Sequence, residues 1–307
     1  MNEVAEVKDV LIVGAGPAGL TAAIYALRAG KSVTLFEAKQ YGGQIVNTPD
    51  IENYPGLKHV SGYDYAETLY EQAVSFGAEF VFEKVTGVTD LGDRKIVTTS
   101  SAKEFEGKTV ILATGAKNRA VGLPREEALI GRGVSYCATC DGMFFRKKDV
   151  AVFGGGNTAL SDALFLSNYC NKVYLIHRRD AFRGSDADVK KLAERENVEF
   201  VLDSVVTELR GEPKLSSIIV KNVKTEAERE IEVAGLFVAI GQVPDNGAFS
   251  PVAELDEKGY LLAAENCRTK TPGIFTAGDC RTKEVRQLTT AVSDGAVAGL
   301  AAAEFVG

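Results

Sequence analysis

The chain has 307 residues, 45% of them hydrophobic and 25% charged, which is enough length and apolar material for two packed domains. A net charge of -7 argues against nucleic acid as the main partner. Five cysteines with only Cys137 and Cys140 close together make no secreted disulfide framework.

The acidic start, Asn2 to Asp9, lacks the basic and apolar regions of a signal peptide. The apolar run Val10 to Leu27 is broken by Gly14, Gly16, Pro17 and Gly19, so it reads as strand, turn and helix, and no membrane segment is expected. A reducing cytoplasm is the expected compartment. Asp9 to Val13 predicts a strand running into Gly14-Ala15-Gly16-Pro17-Ala18-Gly19, then a helix to Gly30 and a second strand, Ser32 to Phe36. In that setting the glycine spacing is a dinucleotide fingerprint: Gly14 for the tight turn, Gly16 for close approach of a pyrophosphate, Gly19 for helix packing. Glu37 ends the second strand, where a carboxylate accepts from ribose hydroxyls and repels a 2′-phosphate, so this site suits FAD or NAD.

The loops Tyr41-Gly42-Gly43-Gln44-Ile45 and Asn53-Tyr54-Pro55-Gly56 are dense in flexible residues and, taken alone, are only turns. Gly62 to Phe76 predicts a helix with Tyr65, Leu69, Ala73 and Phe76 on its core face. A meander follows, ending in a buried strand and Ala113-Thr114-Gly115-Ala116, whose glycine lets backbone approach a cofactor.

Cys137-Ala138-Thr139-Cys140-Asp141-Gly142 comes next. Two thiols two residues apart are a redox centre or half of a zinc site. Zinc needs four ligands, and the chain adds only scattered cysteines with His59 and His177, so no metal site is expected.

The strand-turn-helix pattern then repeats as Val150 to Phe153, Gly154-Gly155-Gly156-Asn157-Thr158-Ala159, a helix to Tyr169 and a strand Lys172 to Ile176. Here the second strand ends in His177-Arg178-Arg179, with Arg183 close behind and Asp180 placed to orient an arginine. Arginines fork onto a 2′-phosphate, so this unit suits NADP(H). Near the C-terminus a strand runs into Gly278-Asp279, and Arg286-Gln287 opens a small-residue helix. Asp279 there is a ribitol ligand or a helix cap.

Taken together, Gly14 to Gly19, Gly42 to Gln44, Ala113 to Ala116, Cys137 to Gly142, Gly154 to Ala159, His177 to Arg183, Gly278-Asp279 and Arg286-Gln287 resemble the low-molecular-weight, bacterial-type thioredoxin reductases of the pyridine nucleotide-disulfide oxidoreductase family, over nearly the whole chain. The resemblance implies an α/β fold of two dinucleotide-binding, Rossmann-like domains. Residues 1–117 and 247–307 would bind FAD, and an inserted domain, 118–246, would bind NADPH and carry the redox disulfide. It implies Glu37 at the adenosine ribose, Gln44 and Asn53 near the flavin, Asp279 at the ribitol and Gln287 at the isoalloxazine edge. It assigns Cys140 to the flavin side and Cys137 to attack on thioredoxin or a thioredoxin-like protein, and it implies a homodimer.

Asp141 would be the proton donor and acceptor, which requires burial to raise its pKa. Because only Met143 to Phe153 separate the dithiol from Gly154, disulfide and nicotinamide ride together, and the inserted domain is expected to rotate about connections near Lys117 to Leu123 and Gly241 to Gly247. Alternatives are a ferredoxin-dependent enzyme, disfavoured by the arginines, a reductase of a peroxiredoxin-linked partner, and a nucleotide-binding sensor without turnover.

Overall fold

The computed structural model describes residues 7–48 and 50–307. They divide into two compact units, one formed by the residues up to Lys117 with Val243–Gly307, the other by Asn118–Gln242.

The first unit opens with β1 (Lys8–Val13), α1 (Pro17–Arg28) and β2 (Val33–Phe36). The last four residues of β1 and all of β2 are buried, as an apolar run without alternation requires of strands covered on both faces. After α2 (Gly62–Ser75) come β3 (Glu79–Val81), β4 (Val85–Asp90), β5 (Lys95–Thr99) and β6 (Glu104–Leu112). The sheet order is β3-β2-β1-β6-β5-β4, so β1 lies between its chain successor and a strand from much later. That is a topological switch point, with a crevice at the carboxyl end of β1.

Ser61 caps α2, its hydroxyl accepting from Asp64 N at 3.0 Å. Tyr65 and Ala73 are buried as their spacing predicts, but Phe76 is 39% exposed. It sits at the C-cap, past the last turn that faces the sheet, where the Arg28 guanidinium covers its ring at 5.5 Å.

The chain leaves this unit through β7 (Ala116–Asn118). The second unit contains α3 (Glu126–Leu129), β8 (Val134–Ser135), α4 (Ala138–Asp141), β9 (Asp149–Phe153), α5 (Asn157–Ser167), β10 (Lys172–Ile176), α6 (Asp186–Ala193) and β11 (Val198–Val201). An antiparallel trio follows, β12 (Ser204–Arg210), β13 (Ser217–Asn222) and β14 (Glu228–Glu232), and then β15 (Gly235–Val238). Its parallel sheet has the order β11-β10-β9-β15-β8, which gives β9 the same switch-point position as β1. The two ends of this unit meet: Arg119 N donates to Gly241 O at 2.9 Å and Gln242 Nε2 to Asn118 Oδ1 at 2.9 Å.

The chain returns through β16 (Gln242–Pro244), so the crossing falls at Gln242 and Val243, just ahead of residue 246. It then adds β17 (Ile274–Thr276) beside β6 and ends in α7 (Leu288–Val306). The small residues of α7 set its packing on α1: a Cβ on Gly295 or Gly299 would overlap the carbonyls of Ala18 and Ala22. Among the described residues no helix is long and apolar enough to cross a membrane.

Candidate active site

Cys137 and Cys140 form a disulfide across α4, with Cα atoms 5.3 Å apart. Cys137 stands at the helix N-cap and Cys140 lies in the helix; both are half-buried, whereas Thr139 between them is exposed. Ser135 braces the pair, its Oγ accepting from Cys137 N at 3.1 Å and donating to Asp141 Oδ2 at 2.6 Å. Burial pushes the Asp141 carboxyl up from its ordinary value, and the Ser135 hydroxyl pulls it partly back. Gly142, directly after it, packs against Tyr169 Oη, so a side chain there would have no room.

The first glycine turn closes the crevice at the end of β1. Gly14 has φ +108, and a Cβ on it would overlap Ala113 O. Gly16 differs: its backbone is extended, and the nearest atom to a built Cβ is Gly43 Cα at 4.0 Å. The protein itself leaves that space open above the start of α1, where Pro17 occupies the first helical position and Ala18 and Gly19 are buried. Glu37 turns back onto this loop, accepting from Ala15 N at 3.0 Å and Lys39 N at 3.0 Å.

Several of the expected flavin-side residues converge in the same unit. The Gln44 amide donates to Ala116 O, and Asn53 Nδ2 donates to Gln287 Oε1 at 3.3 Å. Gln287 also forms a capping box with Thr290 at the start of α7. The Thr114 hydroxyl donates to Asn246 Oδ1 at 2.8 Å, while Gly115 takes a left-handed φ of +67. Asp279 follows Gly278 in a short turn, with its Oδ1 buried and, among the described residues, without a hydrogen-bond partner. Arg286 braces that loop: its guanidinium donates to the carbonyls of Asp279, Lys283 and Arg281 and lies 4.2 Å from the centre of the Tyr260 ring.

The second glycine turn repeats the close approaches of the first, although Gly154, unlike Gly14, does not take a left-handed φ. A Cβ on Gly154 would overlap Ala239 O, whereas a Cβ on Gly156 would meet nothing within 4 Å. Asn157 Oδ1 accepts from Ser185 N at 2.8 Å, Thr158 is exposed and Ala159 is buried in the core. The His177 ring lies against Gly155 and stacks on Phe182 at 5.5 Å. Its burial, together with Arg183, Arg178 and Arg179, holds its pKa below the ordinary value, which keeps it neutral. The three arginines are exposed, and among the described residues none has an ion-pair partner. Asp180 pairs with Lys224 at 3.2 Å instead of with an arginine, because the β13–β14 turn brings that lysine over it.

A match to the pyridine nucleotide-disulphide oxidoreductase family spans residues 8–295. The chain belongs to this family. It is 44% identical over 299 residues to a thioredoxin reductase of Treponema pallidum, covering 97% of each chain. It superimposes on the thioredoxin reductase of Streptococcus pyogenes with a TM-score of 0.92 at 43% identity, covering 97% of this chain and 98% of that one. With the Lactococcus lactis thioredoxin reductase, described as in an FR conformation, the TM-score is 0.68 at 41% identity, covering 97% and 99%.

Within this oxidoreductase framework three residues matter that the sequence did not single out. Asn246, 1% exposed, accepts from Thr114 and donates to the carbonyls of Gly259 and Cys280, tying three loops together. Asp294 receives Arg281, Lys283 and the Gly278 amide. Ser135 links Asp141 to Cys137. Cys170, Cys267 and Cys280 are buried thiols. Among the described residues one group could hold a metal ion, Asp50, Glu52 and His59. It is half-buried to exposed, with the histidine 3.1 Å from Asp50 and 3.4 Å from Glu52.

Proposed function

We propose that this chain is an NADPH-dependent thioredoxin-disulfide reductase, a flavoprotein that passes electrons from NADPH through FAD and the Cys137–Cys140 disulfide to the disulfide of thioredoxin or a thioredoxin-like protein. The observation that carries the reading is a formed, half-buried disulfide backed by a carboxyl of raised pKa, in one chain with two open glycine cradles.

Two features favour FAD in the first unit. Gly16 needs no glycine for the sake of the protein around it, and among the described residues no donor reaches the buried Asp279 Oδ1, which fits a ribitol hydroxyl. Gly14, Gly16, Pro17, Ala18 and Gly19 would hold the pyrophosphate, Glu37 the adenosine ribose, and Gly43, Gln44, Asn53, Ala113, Thr114, Gly115, Gly278, Arg286 and Gln287 would border the rest. For NADPH in the second unit, Gly154, Gly156, Asn157, Thr158 and Ala159 would form the cradle. Arg178, Arg179 and Arg183 would take the 2′-phosphate, with His177 as the wall behind the loop. FAD supplies the chemistry of accepting a hydride and delivering an electron pair to sulfur.

The dithiol performs the exchange. The Cys137 thiolate attacks one sulfur of the partner disulfide, forming a mixed disulfide and expelling a partner thiolate. Cys140 then attacks Cys137 Sγ, closes the intramolecular disulfide and releases the second partner thiolate. Asp141, protonated more readily than an exposed aspartate, supplies a proton to the departing sulfur side and Ser135 keeps it aimed.

Rotation of the inserted unit about its two crossings belongs to the same proposal, as do a homodimer and a cytoplasmic setting. The deciding experiment is NADPH-dependent reduction of candidate thioredoxins, with NADH and reduced ferredoxin as comparisons. In Cys140→Ser, NADPH should still bleach the flavin while disulfide reduction stops; full turnover in that variant refutes the proposal.

A further inference from the structure

Asp294, in the second turn of α7, carries a carboxylate that is 6% exposed and takes four donors. Its Oδ1 accepts from Arg281 Nη2 at 2.8 Å. Its Oδ2 accepts from Arg281 Nε at 2.8 Å, Lys283 Nζ at 2.9 Å and Gly278 N at 2.9 Å. The Arg281 and Lys283 side chains are as buried as the aspartate, at 2% and 6% exposure. Glu265 also reaches Arg281, but at 3.4 Å from a carboxylate 93% exposed, which screens the pair.

Three buried charges of this kind are a poor source of net stability, because desolvation offsets their attraction. What they do accomplish is local. Every group on Asp294 flanks Asp279: the Gly278 amide precedes it, and Arg281 and Lys283 follow. Asp279 itself presents an unpartnered buried oxygen. Its carboxyl is pushed up by burial, drawn down by Lys283 and Arg286, and pushed up again by Asp294, so the cluster acts on it electrostatically.

We propose that Asp294 is a positioning residue for the flavin: it clamps the 278–283 turn so that Asp279 faces the ribitol, and it offsets the buried cations beside that site. The inference rests on the FAD reading above. Without the Asp294 charge, Arg281 and Lys283 would stand uncompensated next to the cofactor and favour its reduced, more negative form.

The test compares wild type, Asp294→Asn, Lys283→Met and the double variant. It measures FAD affinity of the flavin-stripped protein by fluorescence quenching, the midpoint potential of the bound flavin, and the melting temperature. Asp294→Asn should weaken FAD binding by about tenfold or more and move the potential to more positive values. Lys283→Met keeps the Arg281 fork and the Gly278 contact and should move the potential to more negative values; the double variant should return toward wild type. Wild type that binds no FAD overturns the flavin reading itself. Wild-type binding together with an Asp294→Asn variant of unchanged affinity and potential overturns the role of Asp294. So does a lowered melting temperature with no change in potential, which would mark a purely structural ion cluster. Should Asp294→Asn fail to fold, an unmoved potential in Lys283→Met overturns the inference equally.

Discussion

The two glycine turns share single hydrogen bonds; besides the left-handed φ that Gly14 takes and Gly154 does not, and an alanine, Ala159, where the first turn has Gly19, they differ at one place that bears on the ligand. Gly14 N donates to Phe36 O at 2.8 Å and Gly154 N to Ile176 O at 3.0 Å; Ala113 N donates to Val13 O and Ala239 N to Phe153 O, both at 2.8 Å. The difference lies where the second strand ends. Glu37 reaches up to the Ala15 amide and leaves room for an alanine Cβ, whereas the His177 ring lies on the loop and admits only Gly155. On the proposed reading, loop composition and ligand preference are one choice. A carboxylate inside the first turn disfavours a 2′-phosphate, and a neutral ring inside the second leaves the positive charge to three arginines in solvent.

The largest effects should come from the shared backbone. Gly14→Ala forces a Cβ into Ala113 O at a left-handed φ, and Gly154→Ala forces one into Ala239 O. Each should cost roughly 4 kcal/mol in its own unit, read by urea denaturation with limited proteolysis to locate the damage. Next, Gly16→Ala and Gly156→Ala place the methyl in open space. They should leave melting temperatures nearly unchanged but weaken the cognate nucleotide, FAD in the first case and NADPH in the second, by about tenfold or more. A loss of stability without a loss of affinity would mean that these glycines serve the fold and not a ligand. Removing an arginine should do less: Arg178→Leu, Arg179→Leu or Arg183→Leu should each raise KM for NADPH by about tenfold and leave KM for NADH within twofold or so. Equal effects on both nucleotides would remove the 2′-phosphate from the comparison.

What could be read from the chain was whatever is written locally. The strand-turn-helix units, the Cys-x-x-Cys pair and the change from Glu37 to His177-Arg178-Arg179 all lie within short stretches, where spacing narrows the chemistry to a few readings. Asn246 and Asp294 were not legible, because their partners are brought by the fold: Thr114 is far upstream of Asn246, and Arg281 meets Asp294 only when α7 packs back. Asp180 was misread for the same reason, since Lys224 arrives from a distant hairpin. The burial of His177, which sets its ring against the loop, is not written locally either, since it depends on Phe182 and Gly155 closing over it.

The smallest effect sharpens the comparison on the helices that follow the two turns. Counting from the first glycine of each turn, Ala22 on α1 corresponds to Asp162 on α5. Ala22 is fully buried under α7, where Gly299 approaches its carbonyl. Asp162 is half-buried, and among the described residues no hydrogen bond or ion pair reaches it. Burial alone pushes its carboxyl up from 3.8 to about 7. For an acid whose folded pKa lies above its unfolded one, the protonated form is favoured on folding. Its contribution is intact below the unfolded value and is lost as pH rises through the folded one. Asp162→Asn should therefore melt higher than wild type by a margin that grows from about pH 4 to about pH 7 and then levels off. Partial exposure limits the plateau to about 1–2 kcal/mol, and thermal melts at intervals of one pH unit would trace it. A margin that does not change with pH would show that Asp162 is solvated like any surface carboxylate, and the two helices would then differ only in what covers them.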